Sequence, residues 1–197
     1  MGPVIRELQP AVARWFYGKA TPQTEFFADV SGAGYINPEH FGAAYRNRDE
    51  VWRYCLTWTR RLMEPLGQRT IRTVKGTDAD LVRYARALPF NHSLVADMGR
   101  YSGREGIANL TYSLPDGMPV FRAVTSWRHG KDGFLREIRE QVGDVRPAFV
   151  NGFVHCWTFT MDDLVRIHAD RDADMVFVTP SQLAALYREA ARRHGAD

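Results

Sequence analysis

The chain has 197 residues, 45% of them hydrophobic and 25% charged, and its 26 basic against 23 acidic side chains leave a net charge of +3. That length and balance fit one globular domain with a substantial core. The basic residues are scattered rather than grouped, which argues against nucleic acid as a partner, and no run approaches the roughly 18 apolar residues of a membrane span.

Residues Met1 to Glu7 lack a basic region followed by an apolar core, so the chain as given is expected to be cytoplasmic; as a piece of a longer secreted protein it would not be. Leu8, Val12, Trp15 and Phe16 recur at helical spacing, predicting an amphipathic helix that Pro10 either starts or kinks. A strand is expected over 25–30. It runs into Ser31-Gly32-Ala33-Gly34-Tyr35-Ile36-Asn37-Pro38, where two glycines permit a sharp turn and close approach of a ligand or another backbone.

From Asp49 onward Val51, Cys55, Trp58 and Leu62 predict a core-facing helix that Pro65 and Gly67 stop, with Trp15, Trp52 and Trp58 as core residues. Cys55 and Cys156 are expected to be buried free thiols, since their spacing matches neither a metal site nor an evident disulfide. Further strands are expected over 69–74, 92–97, 119–126, 147–156 and 174–178. Thr77-x-x-Asp80 and Thr160-x-x-Asp163 resemble capping boxes that open helices, and Thr179-Pro180-x-Gln182 opens the last one. Asp132 is expected to cap the helix that carries Phe134, Leu135, Ile138 and Val142, which Gly143 closes. Asn109 to Leu114, followed by Pro115-Asp116-Gly117, predicts a short additional strand in a hairpin.

Strand-like runs alternating with helical patterns predict an α/β fold with a mainly parallel sheet and flanking helices in a single domain. The pattern fits an open doubly wound sheet or a partial (β/α) barrel equally well. In either, residues that follow the strands gather on one rim. These are Ser31, Tyr35 and Asn37; Lys75, Thr77 and Asp78; Asp97, Arg100 and Tyr101; Ser126, Trp127, Arg128 and His129; and His155 and Trp157.

Aromatic faces mixed with carboxylate, amide and guanidinium groups suit a carbohydrate or another small polar ligand. Asp97 is the leading acid–base candidate, because it follows Leu94-Val95-Ala96 at a strand end. Glycoside hydrolysis needs a second carboxylate, for which Asp29, Glu39, Asp78 and Asp162 compete. His155 fits either a base or a core histidine bonded to backbone, and His92 and His129 lack the paired spacing of a zinc site, so neither metal nor cofactor is expected. The glycine turn has a structural reading as well, a packing device with Tyr35 in the core.

The motif from Gly32 to Pro38 resembles the one that names the GxGYxYP family, with Gly32, Gly34, Tyr35 and Pro38 in place and Asn37 where the second tyrosine belongs. Trp15-Phe16-Tyr17 with Ala20-Thr21-Pro22, Asp97-Met98-Gly99-Arg100-Tyr101, Asp116-Gly117-Met118-Pro119-Val120 and Val176-Phe177-Val178-Thr179-Pro180 resemble that family's C-terminal domain too. The resemblance implies a glycoside hydrolase-like activity on a partial or distorted barrel of the glycoside hydrolase and deacetylase type, within longer chains that carry sequence before the motif. It implies a sugar subsite shaped by Ser31, Gly32, Gly34, Tyr35 and Asn37, with Arg100, Tyr101, Trp127 and Trp157 around it. The exposed edges of an incomplete barrel would need covering, and a homodimer is one way to do so.

Overall fold

The computed structural model describes residues 2–74, 76–96, 110–124 and 130–194. Helices α1 (Ile5–Leu8), α2 (Pro10–Gly18) and α3 (Arg48–Met63) precede strand β1 (Thr70–Thr73). Then come α4 (Asp78–Ala87), β2 (Ser93–Ala96), β3 (Thr111–Ser113), β4 (Pro119–Val124), α5 (Phe134–Val142), β5 (Asn151–Gly152), α6 (Met161–Ala169) and α7 (Pro180–His194). The sheet runs β1-β2-β4-β3, with β5 also on β4. All pairs are parallel except β3 with β4.

The far edge of β4 is divided: β3 pairs with Pro119–Phe121 and β5 with Ala123 and Val124. Beyond β1, Ala28 alone forms a parallel bridge to Ile71. The order therefore places the chain leading to Ser31 at one margin and the chain leading to His155 at the other.

Alternation along parallel strands assigns the two faces. Ile71, Leu94 and Val120 lie side by side and pack with Trp52, Leu56 and Met63 of α3 and Leu81, Tyr84 and Leu88 at α4. Each of these fully buried large apolar side chains contributes about 1.5–3 kcal/mol by leaving water. Arg72, Val95 and Phe121 face the other way, where Tyr187 of α7 meets Phe121 edge-on at 5.9 Å. A second core joins Val124 to Phe134, Leu135, Ile138 and Val142 of α5 and to Phe159 and Ile167 at α6.

Both predicted capping boxes form, Thr77 with Asp80 and Thr160 with Asp163. Pro10 starts α2 and Pro180 starts α7. The predicted hairpin is β3–β4, turning at Gly117 with φ +80°.

Several expectations are corrected. Residues 25–30 form only the Ala28 bridge, 147–156 contains only the two-residue β5, and 174–178 forms no strand, with Val176 76% exposed. Val176 and Phe177 are exposed rather than filling a sheet. The buried stripe of α3 is Trp52, Leu56, Thr59, Leu62 and Met63: of the expected Val51, Cys55, Trp58 and Leu62, Leu62 is buried and the other three lie one residue round from it. Trp52 is core, whereas Trp15 and Trp58 are exposed. Cys55 is half-buried and Cys156 exposed, both as free thiols. Asp132 caps nothing: a 3₁₀ turn, Lys131–Gly133, leads into α5, and Asp132 accepts instead from Arg166 at 2.6 Å.

Candidate functional site at the strand ends

The turn after Ala28 is built inward. Ser31, with φ +59° and no exposed surface, donates through Oγ to the Ile36 carbonyl at 2.8 Å and accepts from the Val74 amide at 3.1 Å. Its carbonyl accepts from the buried Tyr84 hydroxyl at 3.0 Å, whose pKa burial raises. Ala33 donates its amide to Thr59 Oγ1 at 3.0 Å, and Gly32, φ +95°, sits so close to α3 that a Cβ would lie 2.4 Å from Thr59 Cγ2. Only a residue without a side chain fits there. Asn37 Oδ1 accepts from the Glu39 amide at 3.2 Å, an Asx turn that leads into Pro38.

Ser31, Gly32 and Asn37 are thus held by packing and turn formation. Tyr35 is neither core nor cradle: it is 78% exposed.

Chemistry-bearing groups converge elsewhere on the same rim. On the face of β1 away from α3 and α4, the buried Arg72 guanidinium donates to Asp29 Oδ1 at 2.6 Å and lies 4.3 Å from the ring centre of Phe153, just past β5. Phe153 meets His155 edge-on at 4.7 Å, and His155 stacks on Trp157 at 4.8 Å and 36°. A flat sheet would separate β1 and β5 by three strand spacings, about 14 Å. The side chains of Arg72 and Phe153 reach across that face and link the two margins.

The line therefore runs from a carboxylate beside the glycine turn, through a buried cation and a phenyl ring, to a histidine and an indole that is 78% exposed. Both ring nitrogens of His155 are buried.

Around the edge of the sheet, on the α4 side, Asp78 opens α4 and accepts from the Tyr112 hydroxyl at 2.8 Å. Burial and then Asp78 push the Tyr112 phenol up to about 12, and buried Arg122 lies 5.7 Å from its ring centre. Thr73, Ala96 and Arg122 share one register level at the strand ends, and Asp97 is the next residue after Ala96.

Of the expected site residues, Asp97, Arg100, Tyr101 and Trp127 lie outside the described residues, as do Lys75, Ser126, Arg128 and His129. His155 and Trp157 are brought together with each other and, through Arg72, with Asp29. His92 is at the opposite, amino end of β2, where Nδ1 is 2.7 Å from Ser181 Oγ. Among the described residues no three His, Cys, Asp or Glu side chains form a metal-binding group. Arg72, Phe153, Tyr112 and Arg122 were not singled out from the sequence. The usable signal was an arginine inside each of two apolar strands, Ile71-Arg72-Thr73 and Phe121-Arg122-Ala123, where a charge stays buried only when it is paired.

No curated protein sequence matches the chain. Its fold is similar to the crystal structure of a putative hydrolase from Bacteroides thetaiotaomicron, at 19% identity and a TM-score of 0.74, over 96% of this chain and 38% of that one. The chain thus spans well under half the length of that protein. No described helix is long and apolar enough to cross a membrane. A family model matches residues 1–188, and by that match the chain belongs to the family described as the GxGYxYP putative glycoside hydrolase C-terminal domain.

Proposed function

We propose that this domain acts on carbohydrate at the carboxyl ends of its parallel strands, in the manner of a glycoside hydrolase. The observation that carries the reading is the Asp29–Arg72–Phe153–His155–Trp157 line, which supplies a carboxylate, buried positive charge and an open aromatic face in one connected series. Trp157 stacks on a sugar ring, whose faces are apolar and whose edges carry hydroxyls. Asp97 serves as acid or base and Asp29 as the partnering carboxylate, its charge oriented by Arg72.

Glycosidase chemistry requires the pair about 5–5.5 Å apart for retention or about 6.5–9.5 Å for inversion. The family name and the similar hydrolase fold support the reaction class. A panel of aryl glycosides and oligosaccharides, assayed for turnover and for binding, tests the proposal. Asp97→Asn should abolish turnover and keep glycan binding; full activity in that variant removes Asp97 from the mechanism.

A second reading, a glycan-binding module without turnover, is favoured by one feature: Asn37 replaces the motif's second tyrosine and is used up in an Asx turn. Binding without hydrolysis by the unmodified protein would select it. Absence of both sugar binding and hydrolysis would end the carbohydrate reading altogether.

A further inference from the structure

Away from the strand ends, α3 and α4 enclose a groove of about 560 Å³ lined by Asp49, Trp52, Leu56, Ala87 and four arginines, Arg53, Arg60, Arg83 and Arg86. The volume lies within the range of small-ligand clefts. Four guanidinium groups meet two carboxylates, Asp49 in the lining and Glu64 on Arg60, which leaves a local excess of about +2. The cations are not equivalent. Arg60 is paired with Glu64 at 2.9 Å, and Arg83 with Asp49 at 2.8 Å while it lies 5.7 Å from the Trp52 ring centre. Arg53 and Arg86 are exposed and have no ion pair among the described residues.

Arg83 and Asp49 thus join the two walls, Arg53 and Arg86 are available to a ligand, and the largely buried Trp52 and Leu56 lie beneath the groove. Planar guanidinium forks bind carboxylate and sulfate oxygens in pairs. Arg86 lies eight residues along α4 from Asp78, about 12 Å from the strand-end rim at the helical rise.

We propose that this groove is an accessory subsite for acidic sugar units, bearing carboxylate or sulfate, and that the substrate of the strand-end site is an acidic polysaccharide. This rests on the carbohydrate reading above. The charge excess favours an anionic glycan over a neutral one.

The test is titration calorimetry of the full chain with three probes at one salt concentration: a trigalacturonate, a sulfated chondroitin hexasaccharide and a neutral cellohexaose. Arg53→Glu/Arg86→Glu is compared with Arg14→Glu/Arg192→Glu, which makes the same change in net charge elsewhere. Arg53→Ala/Arg86→Ala provides a milder version, and circular dichroism confirms that each variant is folded. At least one acidic probe should bind, identifying carboxylate or sulfate as the ligand, and lose tenfold or more affinity in the groove variants while changing less than threefold in the control.

Equal losses in groove and control variants overturn the subsite. Binding of cellohexaose alone overturns it and leaves the carbohydrate reading standing, whereas binding of no sugar removes both. Equal affinity for a single-stranded oligothymidylate, lost in the same groove variants, also overturns it, because the groove would then be reading charge rather than sugar.

Discussion

At the margin before β1, the chain turns after Ala28 and spends its polar groups on itself: Ser31, Gly32, Ala33 and Asn37 all bond to or pack against neighbouring backbone and helix. At the margin beyond β5, the chain from Phe153 to Trp157 leaves its rings stacked in sequence and ends in an open indole. Both segments follow parallel strands and both read as site segments. The difference is one of supply. A glycine turn offers shape, and here the shape is consumed by the close approach to Thr59, whereas the β5 end runs from half-buried Phe153 and His155 to an exposed Trp157. The motif on the first margin thus bears on the proposed site only through its neighbour Asp29, which pairs with Arg72.

The largest expected effect tests that division within the motif itself. Gly32→Ala places a methyl against Thr59 at a positive φ and should cost about 3 kcal/mol, while Gly34→Ala, with nothing within 4 Å of its added methyl, should stay within about 0.5 kcal/mol. Chemical denaturation midpoints measure both. Similar costs at the two glycines would mean that the turn is not anchored on α3.

Next in size is Tyr84→Phe, which leaves the Ser31 carbonyl without its buried donor and should lower stability by about 1–1.5 kcal/mol. Glycan binding at the β5 margin should be unchanged. If binding falls with stability, the two margins are coupled more tightly than their separate bonding implies.

The β5 margin has its own anchor in acid. Thr160, through its amide and hydroxyl, and then Lys131 hold the Asp163 carboxyl down at about 2, against about 3.9 in an unfolded chain. A depressed carboxylate stabilises the fold fully above the unfolded value and progressively less as pH falls through the window from about 4 to 2. Melting temperature should therefore drop across that window, and Asp163→Asn should be lower at neutral pH with a flatter acid limb. The helix affected is α6, which packs on buried Phe159, so the acid transition should expose Phe159 and His155 before the Ser31 turn opens. Hydrogen exchange reports that order.

What was legible in the chain followed local physics. The capping boxes, Pro10, Pro180 and the β3–β4 turn depend on neighbours within a few residues, and they form as read. The central strands were legible because Ile71, Leu94 and Val120 sit in runs buried on both faces. The margins were not, since Ala28 and Asn151–Gly152 pair over one or two residues and the apolar run 174–178 forms no strand. The stripe of α3 was misplaced by one position because Trp52 and Leu56 outcompete Val51 and Cys55 in buried area, a tertiary preference that periodicity alone does not rank. The Arg72 bridge joins residues 29, 72 and 153, and no local pattern encodes a meeting across that distance.

The smallest expected change in stability goes with a measurable change in binding. Trp157 is 78% exposed, so Trp157→Ala should alter stability by less than about 0.5 kcal/mol while weakening glycan binding about 3- to 10-fold, the size of one stacked aromatic contact. Tyr35→Ala, at equal exposure, separates two versions of the comparison. An equal loss there would extend the binding surface from the β5 margin across to the glycine turn; no loss would confine sugar contact to the Phe153–Trp157 side and leave the motif as scaffold alone. A large loss of stability in Trp157→Ala would instead make the β5 end packed structure like the Ser31 turn, and the contrast between the margins would not hold.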